Sequence, residues 1–170
     1  IFDGLPSTQA QNVQRAEAEG VEAEGKWQLD PALSLFGNLT YTRATDLGKD
    51  VPLAYIPPLH GRAGVQFAPE QQGYALTASM DWALAKTRID PTQEYPSAGY
   101  AVFNLSAQLF LDRLLAPAFG DTRLIVSVDN LADSAYRSAA TYANVAYAES
   151  MTNPLLEPGR NFTFTLRHRF

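Results

Sequence analysis

Four carboxylates crowd one short stretch near the start of the chain: Glu17, Glu19, Glu22 and Glu24. Carboxylates in such density can work as an acid–base pair or chelate a hard cation. Their spacing argues for something plainer. On an extended strand, residues two apart share a face, so Glu22 and Glu24 stand side by side, most simply on a wet surface. Glu17 and Glu19 take the other parity, and either rise past the apolar part of that face or follow a bulge near Gly20. A solvated or ion-paired face is the expected role.

The other reactive groups are sparse. His60 and His168 are the only histidines, and there is no cysteine, hence no disulfide framework and no thiolate ligand or nucleophile. A metal site needs several converging donors. His60 with Met151 is the nearest the sequence comes to one, so no metal site is expected. Ser79 lies near Asp81 and Ser127 near Asp129, but neither pair has a histidine close in sequence; a triad would have to assemble across strands. There is no glycine-rich phosphate loop and no cofactor motif. The N-x-S/T matches at Asn38, Asn104 and Asn161 fall inside extended segments, where chance accounts for them. The net charge of −5 argues against nucleic acid, whose phosphates need a basic face, and weakly against an anionic lipid surface.

The elements that carry these residues repeat with a period of two. Leu33, Leu35, Gly37, Leu39 and Tyr41 share one face; Ser34, Asn38, Thr40 and Thr42 share the other, with Phe36 the exception. Tyr74, Leu76, Ala78, Met80 and Trp82 oppose Thr77, Ser79 and Asp81, and Ala101, Phe103, Leu105, Ala107 and Leu109 oppose Asn104, Ser106 and Gln108. Phe162, Phe164, Leu166 and Phe170 oppose Asn161, Thr163, Thr165, Arg167 and Arg169; His168 keeps the apolar parity. About seven strands follow, over 13–29, 33–43, 62–68, 74–84, 100–110, 122–130 and 161–170.

Connectors alternate in length. Residues 30–32 and 69–73 are tight turns set by Pro and Gly, whereas 44–58, 86–98 and 131–158 are long and polar. The connector 111–121 breaks this rule and has room for a helical turn. Short turns at one end and long loops at the other mark an antiparallel, up-and-down transmembrane barrel. Ten residues rising about 3.3 Å each, tilted near 45°, cover about 24 Å, the height of the apolar band of such barrels. Aromatics sit at the row ends, as headgroup girdles require: Trp27, Phe67, Tyr74 and Phe170 beside the short turns, Tyr41 and Trp82 beside the long loops. No stretch approaches the roughly 20 apolar residues of a spanning helix.

A soluble β-sandwich also alternates. Its rows would be bulky at the centre and its outer face rich in Lys and Glu. Here the row centres are mostly Ala, Gly and Leu, and the polar face carries Asn, Gln, Ser and Thr. The all-β transmembrane reading is therefore preferred.

Near the C-terminus the pattern resembles a known family. Val128-Asp129-Asn130-Leu131-Ala132-Asp133-Ser134-Ala135-Tyr136 resembles the NL.D..Y stretch before the final long loop of TonB-dependent outer-membrane receptors. Glu157-Pro158-Gly159-Arg160-Asn161-Phe162 is similar to their PGR entry into the last strand, and Phe170 is a terminal aromatic of the expected kind. Gly20-Val21-Glu22-Ala23-Glu24-Gly25 resembles their G.E.E strand, and Ile56-Pro57-Pro58 with His60-Gly61-Arg62 their entry into a downward strand. Each motif is weak alone; the set keeps the family's order along nearly the whole chain.

The resemblance implies that residues 1–170 are the C-terminal portion of a 22-stranded barrel whose plug domain and earlier strands are absent here. Seven strands fit, because a chain that enters from outside and ends in the periplasm has an odd count, while a complete single-chain barrel of this kind has an even one. Such a piece leaves two unpaired edges and is not expected to insert stably by itself. The implied activity is TonB-dependent uptake of a ferric siderophore or similar metal chelate across the outer membrane of a Gram-negative bacterium, without enzymatic activity and without a cofactor. Copper, zinc, haem and cobalamin stay open as cargo. A passive channel, an outer-membrane enzyme and a soluble sandwich binding module are the competing classes. In the family the extracellular loops close over the ligand. Tyr136, Arg137, Tyr142, Asn144 and Tyr147, with Met151 and Asn153 nearby, would suit an anionic chelate through cation–π contact and charge-assisted hydrogen bonds; ordinary loop packing is the competing role. The implied partners are outer-membrane lipid, the chelate, TonB through the absent N-terminal region, and the barrel-assembly machinery, which would read Phe164, Leu166 and Phe170. His168 departs from the aromatic often found two residues before the terminal Phe.

Overall fold

A computed structural model describes residues 15–138 and 156–169. All strands among them belong to one antiparallel sheet. The strands are β1 (Ala16–Gln28), β2 (Leu33–Asp46), β3 (Val51–Pro52), β4 (His60–Phe67), β5 (Tyr74–Ala83), β6 (Tyr100–Phe110), β7 (Thr122–Asp129) and β8 (Asn161–His168). Seven long strands pair in chain order, and the two-residue β3 folds back on the top of β2. The seven strands expected from periodicity are therefore all present. β2 extends to Asp46 because β1 on one side and β3 on the other supply partners for Thr45 and Asp46 where the periodic pattern has ended.

Register explains the two faces. Trp27 pairs with Leu35, Leu35 with Val65, Val65 with Ala78, Ala78 with Leu105 and Leu105 with Val128. One row thus crosses the sheet with every side chain on the apolar face. Val126 and Val128 continue it into Phe164 and Phe162 of β8. A slip of one residue in any pairing would turn that strand inside out. These apolar side chains are not sealed in a core. Trp27 is 67% exposed and Phe164 70%, while the only buried hydrophobics among the described residues are Ala44, Ala83 and Val102. A water-soluble sandwich would hide those rows against a second sheet; the sheet here presents them outward as one broad surface, as a lipid-facing wall must.

Local chemistry sets the turns. At the β1–β2 hairpin, Asp30 Oδ1 accepts the backbone N–H groups of Ala32 (2.7 Å) and Leu33 (2.9 Å), an Asx turn next to Pro31. At the β4–β5 turn, Gly73 adopts φ +70°, which glycine tolerates without a Cβ clash. The connector after β6 holds a single helical turn, α1 (Leu111–Leu114), and a 3-10 turn at Pro117–Phe119. Phe67 and Tyr74 stand at the short-turn end with ring centroids 6.3 Å apart.

The exception in the alternation also has its reason. Phe36 points to the polar face, and its cross-strand partner is Gly64. A Cβ on Gly64 would run into the Phe36 ring and approach the Ala78 carbonyl at 2.8 Å. Glycine makes room for a ring that covers the bare backbone. Gly64→Val is expected to expel the ring and destabilise the sheet by about 1–3 kcal/mol, the usual range for overpacking. Thermal melting of the assembled protein measures this; an unchanged melting point would mean that the ring does not depend on the glycine.

Candidate functional site

The two C-terminal motifs, far apart in sequence, are tied to each other. Asn130 follows directly on β7, with φ 53°, and is 3% exposed. Its Nδ2 donates to the carbonyls of Ser134 (2.9 Å) and Pro158 (3.3 Å), and its Oδ1 accepts the Ser134 N–H (2.8 Å). Asp133 Oδ1 accepts the Arg160 N–H (2.7 Å), and Arg160 Nε donates to the Leu131 carbonyl (3.0 Å). The Asn and Asp of one motif thus hold the Pro and Arg of the other. The stem of the last long loop is closed by backbone and side-chain bonds together, including Glu157 N–H to Tyr136 carbonyl at 2.9 Å.

That closure delivers Tyr136 onto the polar face of the sheet. Its ring lies 4.8 Å from that of Tyr100, which begins β6. The two rings border a groove of about 760 Å³, also lined by Glu22, Glu24, His60, Arg62, Asp81, Ser138 and Glu157. Register brings the wall together: Glu24, Asn38, Arg62 and Asp81 are successive cross-strand partners, and Glu22, Thr40 and His60 form the next row up. Glu22 and Glu24 therefore stand on the wet wall as their parity requires. The β1–β2 register runs unbroken through Gly20 opposite Thr42, so there is no bulge. Glu17 and Glu19 continue the outward row past Val21, opposite Thr45 and Arg43.

Arg62 is engaged twice by Asp81, Nε to Oδ1 at 2.5 Å and Nη2 to Oδ2 at 2.8 Å. Asn104 Nδ2 donates to Asp81 Oδ2 (2.7 Å), and Asn104 Oδ1 accepts the Asn130 N–H (2.9 Å). The network joins the wall to the loop stem. It also occupies the charge of Arg62, leaving the carboxylates of Glu22 and Glu24 to set the field of the groove. His60 Nδ1 lies 2.8 Å from the Pro58 carbonyl, which can only accept, so the Nδ1–H tautomer is held there.

Burial, with the nearby Glu157 carboxylate and Tyr100 ring, pushes the Tyr136 phenol above its ordinary value. A raised folded-state value means that ionising Tyr136 disfavours the fold, so stability is lost as pH rises from the unfolded value through the folded one. Tyr136→Phe should therefore make the protein less sensitive to alkaline unfolding, with no change at neutral pH. Urea melts at neutral and alkaline pH test this; equal alkaline sensitivity in both proteins would contradict it.

Arg137, adjacent in sequence, goes elsewhere. Its Nη2 donates to the Pro96 carbonyl (3.2 Å), beside a second groove of about 530 Å³ lined by Tyr95, Pro96, Tyr136, Arg137 and Leu156. Tyr136 thus borders both grooves and Arg137 one. Tyr142, Asn144 and Tyr147, like Met151, Asn153 and the terminal Phe170, lie outside the described residues. Phe164 and Leu166 stand on the outward face of the edge strand β8. Trp27 takes the short-turn end of the outward face, with Phe67 and Tyr74, and Tyr41 and Trp82 the long-loop end. Ser79 faces Gly64 and Asn104 across the sheet, and Ser127 faces Ser106 and Thr163, with no histidine in either row. Among the described residues no three His, Cys, Asp or Glu side chains converge to hold a metal ion. Tyr100, Arg62 and Asn104 were not singled out from the sequence as site residues. The signal that marks them is shared inward parity on neighbouring strands.

Comparison with known proteins agrees with this architecture. Among solved structures, the copper transporter OprC matches with a TM-score of 0.72 at 24% identity, over 86% of this chain and 22% of that one. The chain therefore spans about a fifth of the length of that structure. No curated protein sequence matches. A family model described as TonB dependent receptor-like, beta-barrel matches residues 1–131 of the 170. On the strength of that match and of a single antiparallel sheet with one greasy and one wet face, the chain belongs to the TonB-dependent receptor β-barrel family of the Gram-negative outer membrane.

Proposed function

We propose that this chain is the closing C-terminal portion of a 22-stranded receptor barrel that imports a metal chelate, such as a ferric siderophore, at the expense of energy delivered by TonB. The observation that carries the reading is the groove on the wet wall, where the last loop is pinned so that the Tyr136 ring packs, tilted, against Tyr100. Aromatic faces beside hydrogen-bonding side chains are what a bulky chelate needs in order to be held and oriented. Tyr136 and Arg137, with Tyr142, Asn144 and Tyr147 further along the loop, are the proposed ligand contacts. TonB would act on a region N-terminal to this chain, and the assembly machinery would read Phe164, Leu166 and Phe170.

A second cargo is favoured by one specific feature. Glu22, Glu24, Asp81 and Glu157 face the groove against His60 and Arg62, a balance that attracts cations. Copper, the cargo named for the structural neighbour, fits that sign.

Radiolabelled iron chelates and radiolabelled copper, offered to cells with and without the full-length receptor, separate the two. Uptake of either that depends on the receptor and is abolished by a protonophore supports import. Uptake indifferent to the protonophore would make the barrel a passive channel instead. For the cargo that is taken up, Tyr136→Ala with Arg137→Ala is expected to weaken binding by about tenfold or more. Unchanged affinity would remove these residues from the site.

A further inference from the structure

We infer that the connector between β6 and β7 is a membrane anchor, lying in the periplasmic leaflet of the outer membrane with Leu111, Leu114, Leu115 and Phe119 dipped among acyl chains. The other connectors at this end of the sheet are tight turns. This one runs Leu-Asp-Arg-Leu-Leu-Ala-Pro-Ala-Phe-Gly-Asp over 111–121, mostly apolar where turn chemistry calls for polar residues. It does not bury what it carries: Leu114 is 41% exposed, Leu115 67% and Phe119 43%.

Its orientation follows from its two attachments. At the start, the Arg113 guanidinium lies 5.3 Å from the centroid of the Phe110 ring, and Arg113 Nη1 donates to the Glu70 carbonyl (2.8 Å). Phe110 has the parity of the wet face, opposite Arg123, whose guanidinium sits 5.0 Å from the same ring. One helical turn places Leu111 and Leu115 on the side away from Arg113, while Leu114 lies between, touching Gly73 and still exposed. With the arginine turned to the wet face, that leucine side turns to the greasy one. At the other end, Thr122 Oγ1 donates to the Phe119 carbonyl and so accepts from His168 Nδ1–H at 2.7 Å. Thr122 and His168 are paired two positions beyond the outward pair Leu124 and Leu166. The 3-10 turn is thus pinned beneath the lipid-facing side of the sheet.

Continuity names the occupant. The outward row Tyr74, Leu109, Leu124, Leu166 ends where the connector begins, so its leucines extend a surface already in contact with lipid. Arg167 has the wet-face parity opposite Arg123, and beyond it the Arg169 N–H binds the Asp121 carbonyl (3.2 Å), which ties the end of the connector to β8. The inference rests on the outward face being lipid-bound.

The test uses the full-length receptor, free of other reactive cysteines, in phospholipid vesicles. Nitroxide labels go on Leu115→Cys and Phe119→Cys, and on Ala118→Cys, which removes no bulk and keeps the test alive should the larger changes impair folding. Leu76→Cys reports the bilayer interior and Lys49→Cys the aqueous loops. Collision with oxygen relative to a water-soluble nickel chelate should be several-fold higher along the connector than at Lys49→Cys, and below that at Leu76→Cys. Nickel access equal to that at Lys49→Cys, with Leu76→Cys still oxygen-dominated, would overturn the anchor alone. Low access to both reagents would mean that protein covers the connector, and would overturn it too. Nickel access at Leu76→Cys would overturn the lipid-facing reading and the anchor with it.

Discussion

Glu94→Ala is expected to loosen the loop between β5 and β6, lowering amide protection there by about two to three orders of magnitude. Lys86 Nζ meets Glu94 Oε2 at 2.6 Å, with the two side chains only 8% and 3% exposed. The same Oε2 accepts the Tyr55 N–H (3.2 Å) from the preceding loop. Arg88 reaches the Ala44 carbonyl (2.9 Å) and Thr45 Oγ1 (2.7 Å) at the top of β2. The buried carboxylate is therefore the centre of a brace between two long loops. Removing it strands a desolvated ammonium, a loss of about 3–5 kcal/mol when one member of a buried pair is deleted. The pair itself need not stabilise the fold: Lys86→Met with Glu94→Leu together should recover most of the protection, because neither charge is then buried alone. Hydrogen exchange of residues 84–99 measures both. Wild-type protection in Glu94→Ala, or a double variant no better than the single, would show that the pair does not hold the loop.

Asn130→Ala should open the stem of the last loop at a cost of about 2–4 kcal/mol. The substitution removes the bonds to Ser134 and Pro158 and leaves their backbone groups to find new partners, each worth about 1–3 kcal/mol when buried. It also places alanine at φ 53°, where a Cβ is penalised by about 1–2 kcal/mol. Asn130→Gly separates the two terms, because glycine relieves the backbone penalty and still lacks the amide. Limited proteolysis across 131–138, with urea melts alongside, is the measurement. Alanine and glycine variants as resistant as wild type would mean that the two motifs do not lock each other.

The strands were legible because the bilayer imposes a single rule on every one of them. Alternation held along most of each long strand, Ile125 in β7 aside, and the short turns fixed the register that aligns the outward row from Trp27 to Phe162. Phe36 broke the rule for a reason that lies on another strand, in Gly64. The top of β2 was missed for a similar reason, since β1 and β3 pair with it on either side where side-chain alternation no longer applies. The motifs around Asn130 and Pro158 were recognisable as patterns, but their mutual hydrogen bonding is a matter of backbone geometry across a long loop. The Lys86–Glu94 pair has no periodic signature at all. In the groove, inward parity placed Glu22 and Glu24. Arg62, Asp81 and Asn104 become a network only once register sets them side by side. Tyr136 and Arg137 look like one binding pair in sequence, yet neighbouring residues leave the backbone in different directions, one toward Tyr100 and the other toward Pro96.

The two-faced sheet underlies everything else, and cysteine scanning of β5 in the full-length receptor tests it most directly. Single cysteines from Leu76 to Trp82, in native outer-membrane vesicles, are treated with a water-soluble maleimide and, separately, with a membrane-partitioned photoreactive label. Thr77, Ser79 and Asp81 should take the maleimide, and Leu76, Ala78, Met80 and Trp82 the lipid label, in strict alternation. Labelling without that period of two, or apolar positions shielded from both reagents, would contradict a wall with lipid on one side and water on the other.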